Sequence, residues 1–160
     1  MAELYTASGS KLYIAPSVAA EPANAAAYEA LTWTEVGFLS NIGEYGDESS
    51  LQTGAVIGDA RVRKAKGSRD AGTLTITVYP DPEDAGQTAL IAAEATNNNY
   101  PIKIVEPNRL TADGTDGIDY MIVLVSSKRK ALGGNDTIVT RTFNAAINSK
   151  ITEVAPTAGA

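Results

Sequence analysis

The sequence has no cysteine and no histidine. The first absence excludes disulfides, thiolate metal sites and cysteine nucleophiles. The second removes the commonest general base, the commonest zinc ligand and every Ser-His-Asp or Cys-His arrangement. Any bond chemistry would fall to carboxylates, lysine or tyrosine alone, so the chain inclines toward binding or structural work. Aromatics are sparse as well. One Trp, two Phe and seven scattered Tyr do not make the clustered platform expected of the main alternative, a β-sandwich carbohydrate-binding or adhesion module. Long apolar runs are missing too. The longest, Met121 to Val125, falls far short of the ~20 residues that span a bilayer, so no membrane partner is expected. The opening MAELYTASGS has neither a basic n-region nor an apolar h-region, and no secretory leader is expected.

What is present is enough for one core. The 160 residues are 44% apolar and 20% charged, the balance of a single globular domain. Thirteen basic and nineteen acidic groups give a net charge of −6, the reverse of a free nucleic-acid binder. The charge is unevenly placed. Residues 1–60 hold one basic group, Lys11, against eight acids. Residues 61–69, RVRKAKGSR, hold Arg61, Arg63, Lys64, Lys66 and Arg69 and no acid. An acidic body therefore bears one concentrated basic patch.

Strand periodicity dominates the patterning. Leu74, Ile76 and Val78 alternate with Thr73, Thr75, Thr77 and Tyr79, and Val139, Phe143, Ala145 and Ile147 alternate with Thr140, Thr142, Ala146 and Asn148. Arg141 falls on the apolar side of the second set and is a misfit. Ile118 to Val125 is apolar on both faces and reads as a covered strand. Tyr100 to Val105, Trp33 to Ile42 and Thr6 to Ile14 read as further strands. Gly133-Gly134-Asn135 marks a hairpin turn. One helix is signalled over about 82–95, with Asp81 and Asp84 as capping residues and Pro82 in the first turn. Residues 15–30 read as a surface loop or weak helix. Residues 43–72 are glycine-rich and without an apolar pattern, and read as one long extended loop that gains order from a neighbour.

Few residues point to chemistry. Asp113, Asp116 and Asp119 lack the spacing of a calcium loop and read as a solvated hairpin tip. Glu83 and Asp84 are adjacent on a helix and do not face each other. Neither GxxxxGK[ST] nor GxGxxG occurs. We expect no catalytic residue, metal or cofactor. The basic run is the one cluster that calls for a partner, and in so acidic a chain the nearest acidic surface is another copy of it. Glu44, Asp47, Glu48 and Asp59, in the first half of the same loop, are the candidate acids.

The segments LTWTEVGFLSNIGEYGDE (31–48) and RVRKAKGSRDAGTLTITVYPDPEDAGQTAL (61–90) resemble the major tail tube protein of long, non-contractile-tailed (siphovirus-type) bacteriophages. KGSRDAG, a strand and DPEDAGQ carry most of that likeness, and a closing hairpin (120–147) continues it. The resemblance implies a mainly β fold, an antiparallel β-sandwich or open barrel with one flanking helix. It implies a single tail tube domain over 1–160, with no C-terminal immunoglobulin-like domain. It further implies a structural virion protein of the viral tail, assembled in the host cytoplasm as homohexameric rings that stack. The lumen would hold the tape-measure protein and later conduct DNA without specific binding during ejection. Tail terminator and distal tail proteins would close the ends. Four strands from each of six copies, at ~4.8 Å spacing and about 40° tilt, would make a barrel roughly 48 Å across, wide enough for duplex DNA. An acidic lining, with hydroxyls such as Thr73, Thr75 and Thr77, would let DNA slide.

Overall fold

The computed structural model describes residues 3–159. Ten strands and two helices follow in the order β1 (Lys11–Ile14), α1 (Ala25–Glu29), β2 (Thr34–Glu35), β3 (Leu39–Ile42), β4 (Glu48–Ala55), β5 (Val62–Asp70), β6 (Thr73–Val78), α2 (Ala85–Glu94), β7 (Tyr100–Val105), β8 (Ile118–Ala131), β9 (Thr140–Ile147) and β10 (Thr152–Val154). The fold is mainly β, as expected. Eight strands form one sheet in the order β2-β1-β7-β8-β9-β6-β3, with β10 added beside β8. All of these pairings are antiparallel.

The two edge strands β2 and β3 are consecutive in the chain and are joined by residues 36–38 alone. So short a connection reaches no more than about 14 Å, so the sheet must curl until its edges nearly meet. The result is an open barrel. Leu12, Ile14, Leu74, Ile76, Val78, Ile102, Met121, Val123 and Phe143 line its inside as one buried cluster. Trp33 to Ile42, expected as a single strand, is split at this crossover. Phe38 takes a φ of 53° there, a left-handed conformation that ends β-pairing.

Helix α2 plugs the barrel, burying Gly86, Gln87, Leu90 and Ala93 on one stripe. It starts later than the sequence suggests. Asp84, not Asp81, is the N-cap, and its side chain accepts from the Gln87 N–H at 2.8 Å. Asp81 accepts from the Glu83 N–H at 3.0 Å and so forms the turn that leads in; Pro82 serves that turn rather than the helix. The buried Gln87 amide donates to the carbonyls of Gly37 and Tyr79 and accepts from the Asp81 N–H, each at 3.0 Å. Asp84 also accepts from the Gly37 N–H at 3.1 Å. The DPEDAGQ stretch is thus a clamp that fixes the crossover to the helix.

On the outer face a second cluster forms around Tyr28, Tyr120 and Ile122. The Tyr28 and Tyr120 rings stack at 5.0 Å, and the Trp33 indole N–H donates to the Tyr28 carbonyl at 3.0 Å. This places α1, capped by Asn24, over the β7–β8 part of the sheet, where only a loop or weak helix was expected. Three of the larger aromatics are consumed by this packing and cannot form a sugar-stacking platform.

Gly86 is where helix and crossover meet. A methyl group there would lie 2.2 Å from the Glu35 carbonyl oxygen and 2.5 Å from Val36 Cα, backbone that cannot swing aside. Gly86→Ala should therefore destabilise the protein by about 1–3 kcal/mol despite alanine's better helix propensity, measurable as a lower denaturant midpoint. An unchanged midpoint would show that the helix can lift off the crossover freely.

Candidate assembly site

The segment 43–72 is not an irregular loop. It is a β-hairpin arm in which β4 and β5 pair antiparallel from Glu48↔Asp70 to Ala55↔Val62, as a two-stranded sheet separate from the barrel. The arm extends about 27 Å for its eight-residue strand. Both faces of both strands are almost wholly exposed, so no apolar alternation was required and none was written into the sequence. Leu51 and Val62 lie 61% and 57% exposed, and Ile57 at the tip is fully so.

Sequence reasoning placed the five basic groups together and the structure spreads them along this arm. Arg63 pairs with Asp59 at 3.0 Å and Arg69 with Asp47 at 3.5 Å. Arg61 accepts the tip's geometry through its backbone, whose N–H donates to Asp59 at 3.1 Å. Among the described residues the side chains of Arg61, Lys64 and Lys66 make no ion pair, nor do Glu44 and Glu48. Lys64 and Lys66 stand opposite Thr53 and Leu51, not opposite acids.

The neck of the arm carries two left-handed glycines, Gly46 (φ 150°) and Gly72 (φ 80°), conformations that glycine alone adopts without strain. Beside the first, the Tyr45 hydroxyl donates to Asp119 at 2.5 Å. Asp119 was read as part of a solvated tip; it is instead buried at the barrel mouth. Its cross-strand neighbour on β10 is Glu153. Glu106, at the end of β7, accepts from the Tyr5 hydroxyl at 2.8 Å. Burial first, and then the nearby Glu106 and Glu153 charges, push the Asp119 carboxyl up to about 6. The Tyr45 hydroxyl is raised by the same burial and by Asp119, and stays a donor. A raised carboxyl beside other acids also suits an acid catalyst. Here, however, one oxygen of Asp119 and one of Glu106 each accept from a tyrosine hydroxyl of the chain itself, an anchoring arrangement. Asp116 differs again: the Arg109 guanidinium, 2.9 Å away, holds its carboxyl below the usual range.

A third surface is the outer face of β6, β9 and the second half of β8. Thr73, Thr75 and Thr77 stand opposite Ala146, Asn144 and Thr142. Thr75 donates to the Asn144 amide oxygen at 3.1 Å, and that amide donates to Ser127 at 3.0 Å. The acids expected beside these threonines are not on this stretch. Arg129, opposite Thr142, is its one charge.

No family model matches the sequence, and no curated protein matches it. Solved structures do share its fold. A chain of the SPP1 tail tube, solved by solid-state NMR and cryo-EM, superposes over 91% of this chain and 76% of its own, with a TM-score of 0.63 and 14% identity. A chain of the anti-feeding prophage (AFP) baseplate, a 6-fold symmetrised cryo-EM structure, superposes over 97% of this chain and 98% of its own, with a TM-score of 0.69 and 8% identity. The chain therefore shares its fold with chains of a tail tube and of a baseplate.

The Asp119 latch has a pH signature. Its folded pKa lies above the unfolded value near 3.8, so the native state binds more protons between about pH 4 and 6. Stability therefore falls as pH rises through that window, by up to about 3 kcal/mol. Asp119→Asn keeps an acceptor for Tyr45 and should flatten this slope, leaving the variant more stable than the parent at pH 7–8 in urea melts. A parent curve flat between pH 4 and 6 would contradict this account of Asp119.

Proposed function

We propose that this chain is the structural subunit of a phage tail tube. Six copies close a ring, rings stack into the tube, and the tube encloses the tape-measure protein before conducting DNA into the host. The observation that carries this reading is the arm. An isolated two-stranded hairpin is marginal in water, yet this one projects with Ile57, Val62 and Leu51 on solvent. In a stacked tube those side chains and the unpaired Arg61, Lys64 and Lys66 find a neighbouring copy. The likeness to the SPP1 tail tube and AFP baseplate chains supports the same reading.

The protein performs no bond chemistry in this account and needs no cofactor. Its residues 1–160 act as one tube domain, in a virion tail assembled in the host cytoplasm, with terminator and distal tail proteins at the ends. The hydroxyl face of β6 and β9 suits a lumen wall. Threonine and asparagine side chains already bonded to one another offer phosphate no cation to grip, Arg129 excepted.

The basic arm would contact Glu44, Asp47, Glu48 or Asp59 of a copy in the adjacent ring. The local pairs at Asp59 and Asp47 do not oppose this, since an exposed ion pair contributes only about 0.2–1 kcal/mol and can change partners. Six-fold repetition of two such pairs would give roughly 2–12 kcal/mol per ring junction before ordering costs.

Electron microscopy of the purified protein should show stacked rings or tubes. Lys64→Glu with Lys66→Glu breaks no internal pair, so it should fold normally but stop tube growth, and Glu44→Lys with Glu48→Lys should partly restore it. Tubes at normal yield from the reversed arm, in low salt, would remove the arm from the contact.

A further inference from the structure

Strand β8 separates two unlike surfaces. Its fourteen residues span about 45 Å. At its end, Lys128, Arg129 and Lys130 are exposed, and Arg141 stands directly opposite Lys130. A bulge between Val125 and Ser127 turns Lys128 and Lys130 to the side of Phe143 and Arg141, leaving Arg129 on the other face. The cations therefore ring the tip rather than line one side. The tip itself, residues 132–139, carries Leu132 and Ile138 at 62% and 69% exposure. Arg141 Nε is buried with no hydrogen-bond partner, a costly state for a cation's donor unless negative potential lies nearby. Lys128 pairs with Glu94 at 3.6 Å; the other three make no ion pair among the described residues.

The opposite end has the complementary character. Glu106 and Asn108 are tied to Gly117, just before β8, at 2.9 Å and 2.7 Å. Asn108 borders a cavity of about 620 Å³ lined also by Glu3, Leu4, Tyr5, Pro107, Arg109 and Leu110. Leu4, Tyr5 and Leu110 are exposed there; Glu3 lies on the lining, Glu106 accepts from the Tyr5 hydroxyl, and Asp113, three residues beyond Leu110, is exposed. One end of the subunit is an apolar knob with a basic collar. The other is a hollow of mixed lining, with Leu4, Tyr5 and Leu110 exposed in it and the Glu3 carboxylate on its wall.

We propose that the β8–β9 tip of one copy seats in the cavity beside residues 3–5 and 107–110 of the next, as a second stacking seam besides the arm; this rests on the tube reading. A second copy is the partner that matches both the charge and the apolar area. Nucleic acid would match the cations but leave Leu132 and Ile138 on water. Two different surfaces at opposite ends of one rigid strand form a head-to-tail contact, which repeats without closing and so builds a filament. The Glu3 carboxylate on that wall would also supply the negative potential that Arg141 lacks.

The full-length protein tests this by charge exchange. One variant carries Arg129→Glu with Lys130→Glu; a second carries Glu3→Lys with Asp113→Lys. None of the four residues makes an ion pair among the described residues, so both variants should match the parent in monomer melting. Alone, the first loses the net positive charge of its tip and the second loses the carboxylates at its hollow, so each should self-associate at least roughly tenfold more weakly by sedimentation velocity in low salt. Mixed in equal amounts they present opposite ends and should recover parental assembly, as alternating stacks. Parental assembly of either variant alone, or no recovery on mixing, overturns the seam while leaving parental tubes, and thus the tube reading, intact. A parent that stays monomeric at every concentration overturns both.

Discussion

The structure depends on one short crossing, the three residues that carry the chain from β2 to β3. Because they are so few, the two edges of an eight-stranded sheet must lie side by side, and the sheet has no choice but to curl. The crossing contains a left-handed Phe38 and a Gly37 that has no strand partner of its own. Asp84 and Gln87 answer that deficit, accepting from the Gly37 N–H and donating to its carbonyl. The same two side chains start helix α2 and hold the exit of β6 through Tyr79. Closure of the barrel, placement of the helix and filling of the core are consequently one event. The closeness of Gly86 to the Glu35–Val36 backbone leaves the helix no room to settle elsewhere.

Closing the barrel also decides what must remain outside. Once β3 is paired to β6, the residues between them cannot re-enter a sheet whose positions are taken, and they pair with each other as the arm. The two glycines at its neck permit the sharp departures, while Tyr45, reaching Asp119 across the barrel mouth, fixes where the arm leaves. A buried carboxylate that shares its surroundings with Glu106 and Glu153 is an expensive anchor, retained beside the neck where the arm leaves the barrel.

Much of the barrel was legible because burial is one-sided. Tyr100–Val105 matches its expected bounds and Thr73–Val78 ends one residue before the expected Tyr79, since each has one face on the core and the alternation records it. The later half of β8 was not legible. After Val125 the strand leaves the core, and KRK in the sequence looks like any solvated run. The arm escaped for the same reason: with both faces on water, periodicity carries no information, and only the pairing of Glu48 with Asp70 shows a hairpin. Asp81 and Asp84 both have capping chemistry, and the choice between them was made by Gly37, a partner 47 residues away. Asp119 and Tyr45, 74 residues apart, could be joined only by the closed barrel. The basic run at 61–69 was legible as a cluster, but not that two of its members would find acids within the arm.

The absence of histidine and cysteine fits the proposed structural role. A subunit that works by repetition needs surfaces that are complementary and rigid, and it gains nothing from reactive groups. Its carboxylates and cations are accordingly spent on geometry: Asp84 on the crossing, Asp119 on the neck, Asp116 on Arg109, Glu94 on Lys128. Among the described residues, the charges without an ion pair include Arg61, Lys64 and Lys66 on the arm and Arg129 and Lys130 at the end of β8. Exposed pairs are individually weak, so a single copy forfeits little by leaving them unmatched. In the proposed ring the same vacancy would recur with every copy, and contacts too small to order one molecule would add up along a seam. On that proposal the sequence keeps its electrostatic complementarity for the assembled state, while the buried core and the clamp at Gly37 hold the lone subunit together.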